Sequence, residues 1–317
     1  MAHAMKVELD AQYRQLREDC GLLDRSERGK LMLSGSEAAE FLQGQLTNEI
    51  EALEVGDGTY AALLDRKGHV QADMRVLRPG ADELWVDTEA TALETVRRHL
   101  ETYKIGREVA IADLTAERTI LSLIGPRSAD LAGTPPLPEH ACANTSVNGA
   151  DCLAVGTADG MDLIVKGANA AGLHGTLIAG GAGEVTPEAV EILRIEAGRP
   201  RFGAEMSAET MPAEAGIVER AVSFTKGCYI GQEPVARLHY RGRPNRSLRG
   251  LVLSAPAEAG ASLHLGEKEV GAVGSACVSP ARGPIALAVV RREAETGAEL
   301  AVGEDGVTAR LVDLPFG

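Results

Sequence analysis

The chain has 317 residues, with 32 Lys and Arg against 46 Asp and Glu, a formal net charge of −14. Hydrophobic residues make up 44% and aromatics only 3%, so its cores must be aliphatic, and disordered or fibrous classes are excluded. A surface this anionic repels bulk nucleic acid unless basic residues gather locally, and no apolar run approaches the roughly 18 residues of a membrane helix.

The length is about twice that of a usual single domain, so two or three domains are expected. Five cysteines, Cys20, Cys142, Cys152, Cys228 and Cys277, are odd in number and widely spaced, with no Cys-x-x-Cys. That argues against a disulfide framework and against a metal site with sequence-local ligands. Lys6, Glu8 and Asp10 interrupt any early apolar stretch, so no secretory segment is read. The expectation is a soluble cytoplasmic chain with no membrane partner and no bound metal.

In chain order, a helix is expected over Met5 to Asp19, a strand at Lys30 to Leu33, and a helix over Glu37 to Leu46. Tyr60 to Leu64 and His69 to Leu77 read as a hairpin joined by Asp65-Arg66-Lys67-Gly68. Leu84 to Val86 is a further strand, followed by a helix with Leu93, Val96 and Leu100 on one face. Val109 to Leu114 and Thr119 to Ile124 are strands, and the proline-rich 133–138 stretch is a loop. The glycines of 179–183 form another loop that lacks a nucleotide-binding spacing. A helix follows, capped by Thr186, opened by Pro187 and stopped by Gly198. After Arg249, short apolar runs broken by Gly and Pro read as a small barrel or sandwich.

Two carboxylates stand out. On a wheel at about 100° per residue, Glu196 falls within the apolar arc of Ala189, Ile192, Leu193 and Ala197. A carboxylate aimed at a core needs a partner, which is either a buried cation or a ligand rich in N–H groups. Asp73 shares one face of its strand with His69, Gln71 and Arg75. That face is either solvated or part of a site over which another domain closes.

The richest segment is Lys226-Gly227-Cys228-Tyr229-Ile230-Gly231-Gln232-Glu233. Lys226 lies two residues before Cys228, where its charge would favour a thiolate. The two glycines would free the backbone for a tight turn, and Gln232 and Glu233 could bond backbone or ligand. The bland alternative is a cysteine buried in an ordinary connection. From Pro234 to Pro256 there is no acidic residue, while Arg237, Arg241, Arg243, Arg246 and Arg249 supply five cations. Such a patch binds carboxylates or phosphates, tracks an RNA backbone, or is spent on internal salt bridges. Hydrolase and metalloenzyme motifs are absent.

The motif from Lys226 to Glu233, followed by Val235-Ala236-Arg237, resembles the signature of the YgfZ family, folate-binding relatives of the glycine-cleavage T-protein (aminomethyltransferase). Phe41 to Asn48, Leu64 to Gly68, Arg194 to Gly198 and Met211 to Gly216 are similar to family segments as well. The resemblance implies an α+β chain, a three-domain ring of the T-protein type with two mixed α/β domains and a C-terminal β-barrel. Residues 1–50 plus 116–205 would form the first domain, 51–115 the second, 206–245 the motif segment and connection, and 246–317 the barrel.

It also implies tetrahydrofolate or a one-carbon derivative as cofactor, with Glu196 seating the pterin ring and Asp73 near the reactive folate nitrogens. Cofactor contacts would extend to Tyr229, Gln232, Glu233, Arg237 and Arg241, and Cys228, Lys226 and Asp73 would carry any chemistry. The implied role is support of iron–sulfur cluster assembly or repair, and of tRNA modification, with iron–sulfur proteins or their assembly machinery as partners. A folate-dependent aminomethyltransferase or demethylase and a non-catalytic RNA-binding module are the alternatives; RNA is not favoured as a partner, and a monomer is expected. The residues leave open whether a reaction is turned over.

Overall fold

The computed structural model describes residues 2–316. Two compact units emerge: one of Met1–Leu64, Gln71–Pro187 and Arg220–Ile230, the other of Asp65–Val70, Glu188–Glu219 and Gly231–Gly317.

The first unit holds two sheets. In the five-stranded sheet the order is Gly58–Leu64, Val70–Gly80, Glu83–Thr88, Gly29–Ser34, Ala110–Asp113. This sheet draws on residues from both sides of residue 50. In the six-stranded sheet the order is Gly183–Glu184, Gly21–Asp24, Arg118–Ile124, Gly160–Lys166, Ala150–Thr157, Cys142–Val147. Leu77 and Trp85 of the first sheet pack with Ile120, Leu153, Val155 and Ile164 of the second, so the inward faces of the two sheets share one apolar layer. Helix Gly167–Ala179 buries Leu173 and Leu177 against the six-stranded sheet. Helix Ala90–Tyr103 buries Val96 and Leu100 of the predicted stripe together with Ala92, while Leu93 is half-buried. The meander over 142–166 and the helix after it lie where the sequence offered no clear element. The glycine-rich stretch expected as a loop ends in a short strand, Gly183–Glu184, paired parallel to Gly21–Asp24.

The second unit is built around a closed barrel, confirming the expected C-terminal β-barrel. Its strand order is Arg246–Leu253, Gly283–Arg291, Lys268–Ser279, Ser262–Leu265, Glu299–Val302, Val307–Val312. Leu251, Leu263, Val273, Ala286, Leu300 and Leu311 fill it. Helix Pro187–Glu196 ends in a Schellman-type turn, with Arg199 N–H donating to Arg194 C=O at 3.1 Å and Gly198 at φ +67°. A Cβ on Gly198 would lie 2.9 Å from the Leu314 side chain, so glycine there serves both the turn and the packing. The turn over 65–69 is closed by Asp65, whose carboxylate accepts the N–H groups of Lys67 and His69 at 2.8 and 2.9 Å.

Candidate functional site

The sequence-predicted site residues divide between the two units. Asp73, Lys226, Cys228 and Tyr229 belong to the first; Glu196, Gln232, Glu233, Arg237 and Arg241 belong to the second.

In the first unit, residues 46–48 at the end of helix Ala38–Gln45 clamp the segment that leads into the cysteine. Thr47 Oγ1 donates to Ala221 C=O at 2.5 Å and accepts Ala62 N–H at 2.8 Å. Asn48 Nδ2 donates to Tyr60 C=O at 2.9 Å and Arg220 C=O at 3.0 Å. Lys226 completes the clamp. It is buried, and its ammonium donates to the carbonyls of Gln43, Leu46 and Asn48 at 2.6, 2.7 and 2.7 Å. All three ammonium protons are thereby engaged at a helix C-terminus, where a cation is favoured by the exposed carbonyls and the macrodipole. The same Nζ lies 5.2 Å from the centre of the Tyr229 ring. Burial lowers the Lys226 pKa to about 8. The geometry gives Lys226 a different task from the thiolate-promoting one its spacing suggested: it anchors the segment on which Cys228 stands.

Cys228 itself is exposed, whereas Cys20, Cys142 and Cys152 are buried and Cys277 is intermediate. Burial pushes the thiols of Cys20 and Cys142 up to about 11. Tyr229 follows with its ring buried and its hydroxyl lacking any hydrogen-bond partner, and burial raises that hydroxyl to about 12.

Asp73 does not lie on a solvated face. Its Oδ2 accepts the Tyr60 hydroxyl at 2.7 Å, while Oδ1 is buried with no partner. Burial raises the carboxyl's pKa, opposed by the Tyr60 hydrogen bond and the nearby Arg28. Tyr60 is raised well above its ordinary value by burial and by the Asp73 charge. The Arg220 guanidinium sits 4.9 Å over the Tyr60 ring, and His140 stacks on the same ring at 6.2 Å. Tyr60, Thr47, Asn48 and Arg220 were not singled out from sequence. Thr47 and Asn48 entered only as the end of the Phe41–Asn48 family segment, and Tyr60 only as the start of a strand.

In the second unit, Glu196 is buried at 4% exposure, inside the apolar arc assigned by the wheel. Its Oε1 accepts the Ser279 hydroxyl at 2.5 Å, and Ser279 Oγ in turn accepts the N–H groups of Ala281 and Arg282 at 3.1 and 3.0 Å. A turn between two barrel strands therefore supplies one partner of this carboxylate. Burial, with the Glu196 and Glu191 charges, pushes the Cys277 thiol up to about 12. Arg194, on the same helix, is bound to Glu191 at 2.7 Å and Glu205 at 3.0 Å.

Gln232 and Glu233 open the helix Gln232–Arg241, after Gly231 at φ +82°. Glu233 pairs with Arg237 at 2.7 Å on the surface. Arg237, Arg241 and Arg243 are exposed. The five-arginine patch is smaller in space than in sequence, because Arg246 is bound to Glu214 at 3.0 Å and Arg249 lies 3.8 Å from Asp313. Among the described residues no three His, Cys, Asp or Glu side chains gather as a metal site, and no helix is long and apolar enough to cross a membrane.

Residues 2–226 match the family model described as the GCVT N-terminal domain. Residues 246–316 match that of the glycine cleavage T-protein C-terminal barrel domain. The aminomethyltransferase of Rubrobacter xylanophilus is 31% identical, over 97% of this chain and 86% of its own length. That of Saccharopolyspora erythraea is 30% identical, over 96% and 89%. The crystal structure of glycine cleavage system aminomethyltransferase T from Bartonella henselae superposes with a TM-score of 0.89 at 24% identity, covering 98% of this chain and 89% of that one. The mixed α/β sheets with a closed C-terminal barrel are thus the T-protein fold.

Proposed function

This chain belongs to the glycine cleavage T-protein family, and we propose that it binds tetrahydrofolate or a one-carbon derivative and presents Cys228 as a working thiol in support of iron–sulfur enzymes. The observation that carries the folate part is that two of the buried polar atoms without a hydrogen-bond partner, Asp73 Oδ1 and the Tyr229 hydroxyl, belong to residues that the motif resemblance assigns to the folate site. Such atoms are costly to leave unpaired, and they fit a ligand that brings both N–H donors and acceptors. A pterin is such a ligand.

Glu196, a buried acceptor fixed by Ser279, would hold ring N–H groups. Asp73 would face the reactive nitrogens, with Tyr60 orienting its carboxyl. Gln232 and Glu233 would bond the ligand's edge, while Arg237 and Arg241, both exposed, suit an anionic glutamate tail. When bound, tetrahydrofolate supplies nitrogens that take up a one-carbon unit. Cys228 is the exposed thiol among five cysteines, on a segment anchored by Lys226, and is open to a partner protein's thiol or cluster. The iron–sulfur role, with its extension to tRNA modification, rests on the resemblance of the Lys226–Glu233 motif; with it go a cytoplasmic location and a monomer.

The second reading is a folate-dependent aminomethyltransferase, favoured by the names of the relatives at 31% and 30% identity. One experiment tests the folate site, another separates the two readings. Anaerobic titration with tetrahydrofolate is expected to give saturable binding that weakens by about tenfold, 1.4 kcal/mol, in Glu196→Gln. No binding to the wild type sinks the folate reading. Cys228→Ser should then abolish rescue of iron–sulfur enzyme activity in cells lacking the chain; retained rescue together with aminomethyl transfer to tetrahydrofolate favours the second reading.

A further inference from the structure

The turn that joins strand Gly21–Asp24 to strand Gly29–Ser34, in the first unit, is pinned at several points. Asp24 Oδ1 accepts Ser26 N–H at 2.8 Å. Lys30 is buried at 1% exposure, and its Nζ donates to the carbonyls of Ser26 and Arg28 at 2.9 and 2.6 Å. Arg25 N–H donates to Ile120 C=O at 2.9 Å, and Arg25 C=O accepts Arg28 N–H at 3.2 Å. The backbone of Arg25 is thereby held on both sides.

This turn carries two arginines with opposite circumstances. Arg28 is bound to Asp87 at 2.6 Å and also to Glu89. Arg25 lies within electrostatic reach of Arg28, Arg75, Asp87 and Asp162, yet among the described residues no hydrogen bond or ion pair reaches its guanidinium. The residue is half-buried, and none of its nitrogens is sealed from solvent. Burial, and after it the Arg28 charge, lowers its pKa, and the two aspartates do not make up the difference. A guanidinium donates only, so this one, set deep on a pinned turn and still open to solvent, calls for an acceptor from outside the chain.

The surroundings decide which acceptor. Arg28 and Arg75 together already hold three carboxylates, Asp87, Asp162 and Glu89. A dianion such as phosphate would be repelled by that excess of negative charge. A carboxylate brings one charge and two coplanar oxygens that match the guanidinium fork. We propose that Arg25 is a binding site for the carboxylate of a small monoanionic ligand, separate from the glutamate tail assigned to Arg237 and Arg241.

The test follows the arginine Nε–H signals of the full chain, labelled with 15N, during titration with acetate at an ionic strength held constant with chloride. The Arg25 signal, identified by its loss in Arg25→Gln, should shift saturably, with half-saturation below about 50 mM. Inorganic phosphate should bind about tenfold more weakly, and neutral acetamide should cause no shift. Acetate should raise the melting temperature of the wild type and not that of Arg25→Gln. Arg25→Lys keeps the charge without the fork and should weaken acetate binding by about tenfold. Absence of a saturable acetate shift overturns the proposal, as does phosphate binding as tightly as acetate. A melting temperature in chloride that falls in Arg25→Gln but not in Arg25→Lys also overturns it, because the arginine would then be a counter-ion of its neighbours. Tetrahydrofolate affinity should be unchanged in Arg25→Gln; a tenfold loss would assign the carboxylate to the cofactor and overturn the proposal. A wild type that responds to acetate and not to tetrahydrofolate upholds this site and sinks the folate reading alone.

Discussion

The barrel and the first unit close their cores by different means. The barrel core is a cluster of aliphatic side chains such as Leu251, Leu263, Ala286 and Leu311, and the buried ion pairs of its unit, such as Arg194 with Glu205, are not part of that cluster. The first unit also buries a chain of ion pairs. Asp87 accepts Arg28 at 2.6 Å and Arg75 at 3.0 Å; Arg75 reaches on to Asp162 at 2.6 Å, which accepts the Ser122 hydroxyl at 2.6 Å. Apolar contacts are non-directional and tolerate repacking, whereas hydrogen-bonded ions fix orientation at the cost of desolvation. The difference teaches where geometry is held most strictly. Arg28 and Arg75 share the Asp87 carboxylate, and Arg28 also stabilises the charge of Asp73, so the ionic chain leads to the candidate site.

The largest effect is expected where that chain is cut. Asp87→Ala leaves two buried guanidiniums without their shared anion and should destabilise the fold by about 3–5 kcal/mol in urea unfolding. The two arginines hold the Asp87 carboxyl well below the usual carboxylate range. Because the folded value is depressed, its contribution is complete above the unfolded value, about 3.9, and is lost as pH falls toward the folded one. The cost of Asp87→Ala should therefore shrink in acid. Leu251→Ala in the barrel should cost about 3 kcal/mol, a cavity penalty with no such pH dependence. If both variants respond to acid alike, the contrast between the two cores is wrong.

A smaller effect of opposite sign is expected at Asp73. Its folded pKa is raised, so the stability it contributes is present below the unfolded value and is lost as pH rises through the folded one. Asp73→Asn should then raise the melting temperature at pH 7, by the equivalent of about 1 kcal/mol, and make little difference near pH 4. Tetrahydrofolate binding should weaken in the same variant. A gain in stability without loss of binding would remove Asp73 from the site.

Much of this architecture was legible in the sequence because it rests on local patterns. The barrel announced itself by short apolar runs, and the helix ending at Gly198 by its stop signal. The buried position of Glu196 followed from periodicity alone. What stayed hidden depends on contacts distant in the chain. Lys226 and Cys228 read as neighbours, yet the lysine's partners are carbonyls at 43, 46 and 48. Asp73 read more readily as solvated, because Tyr60 and Arg28 reach it from other strands and turns. Ser279 gave no signal as a partner of Glu196, since a serine in a turn is ordinary. Arg246 was counted in a basic patch that its pairing with Glu214 diminishes.

The smallest effect tests what remains of that patch. Arg237 and Glu233 form an i,i+4 pair with side chains 71% and 84% exposed. Exposed pairs of this kind contribute about 0.3–0.5 kcal/mol at most and are screened by salt. Arg237→Ala should therefore leave the melting temperature almost unchanged. Its effect on tetrahydrofolate affinity should appear only with glutamate-tailed ligand and fade as ionic strength rises, because an exposed guanidinium acts on a flexible anion mainly through charge. A large stability loss would mean that the helix Gln232–Arg241 depends on this pair, and the arginine would then belong to the scaffold and not to the site.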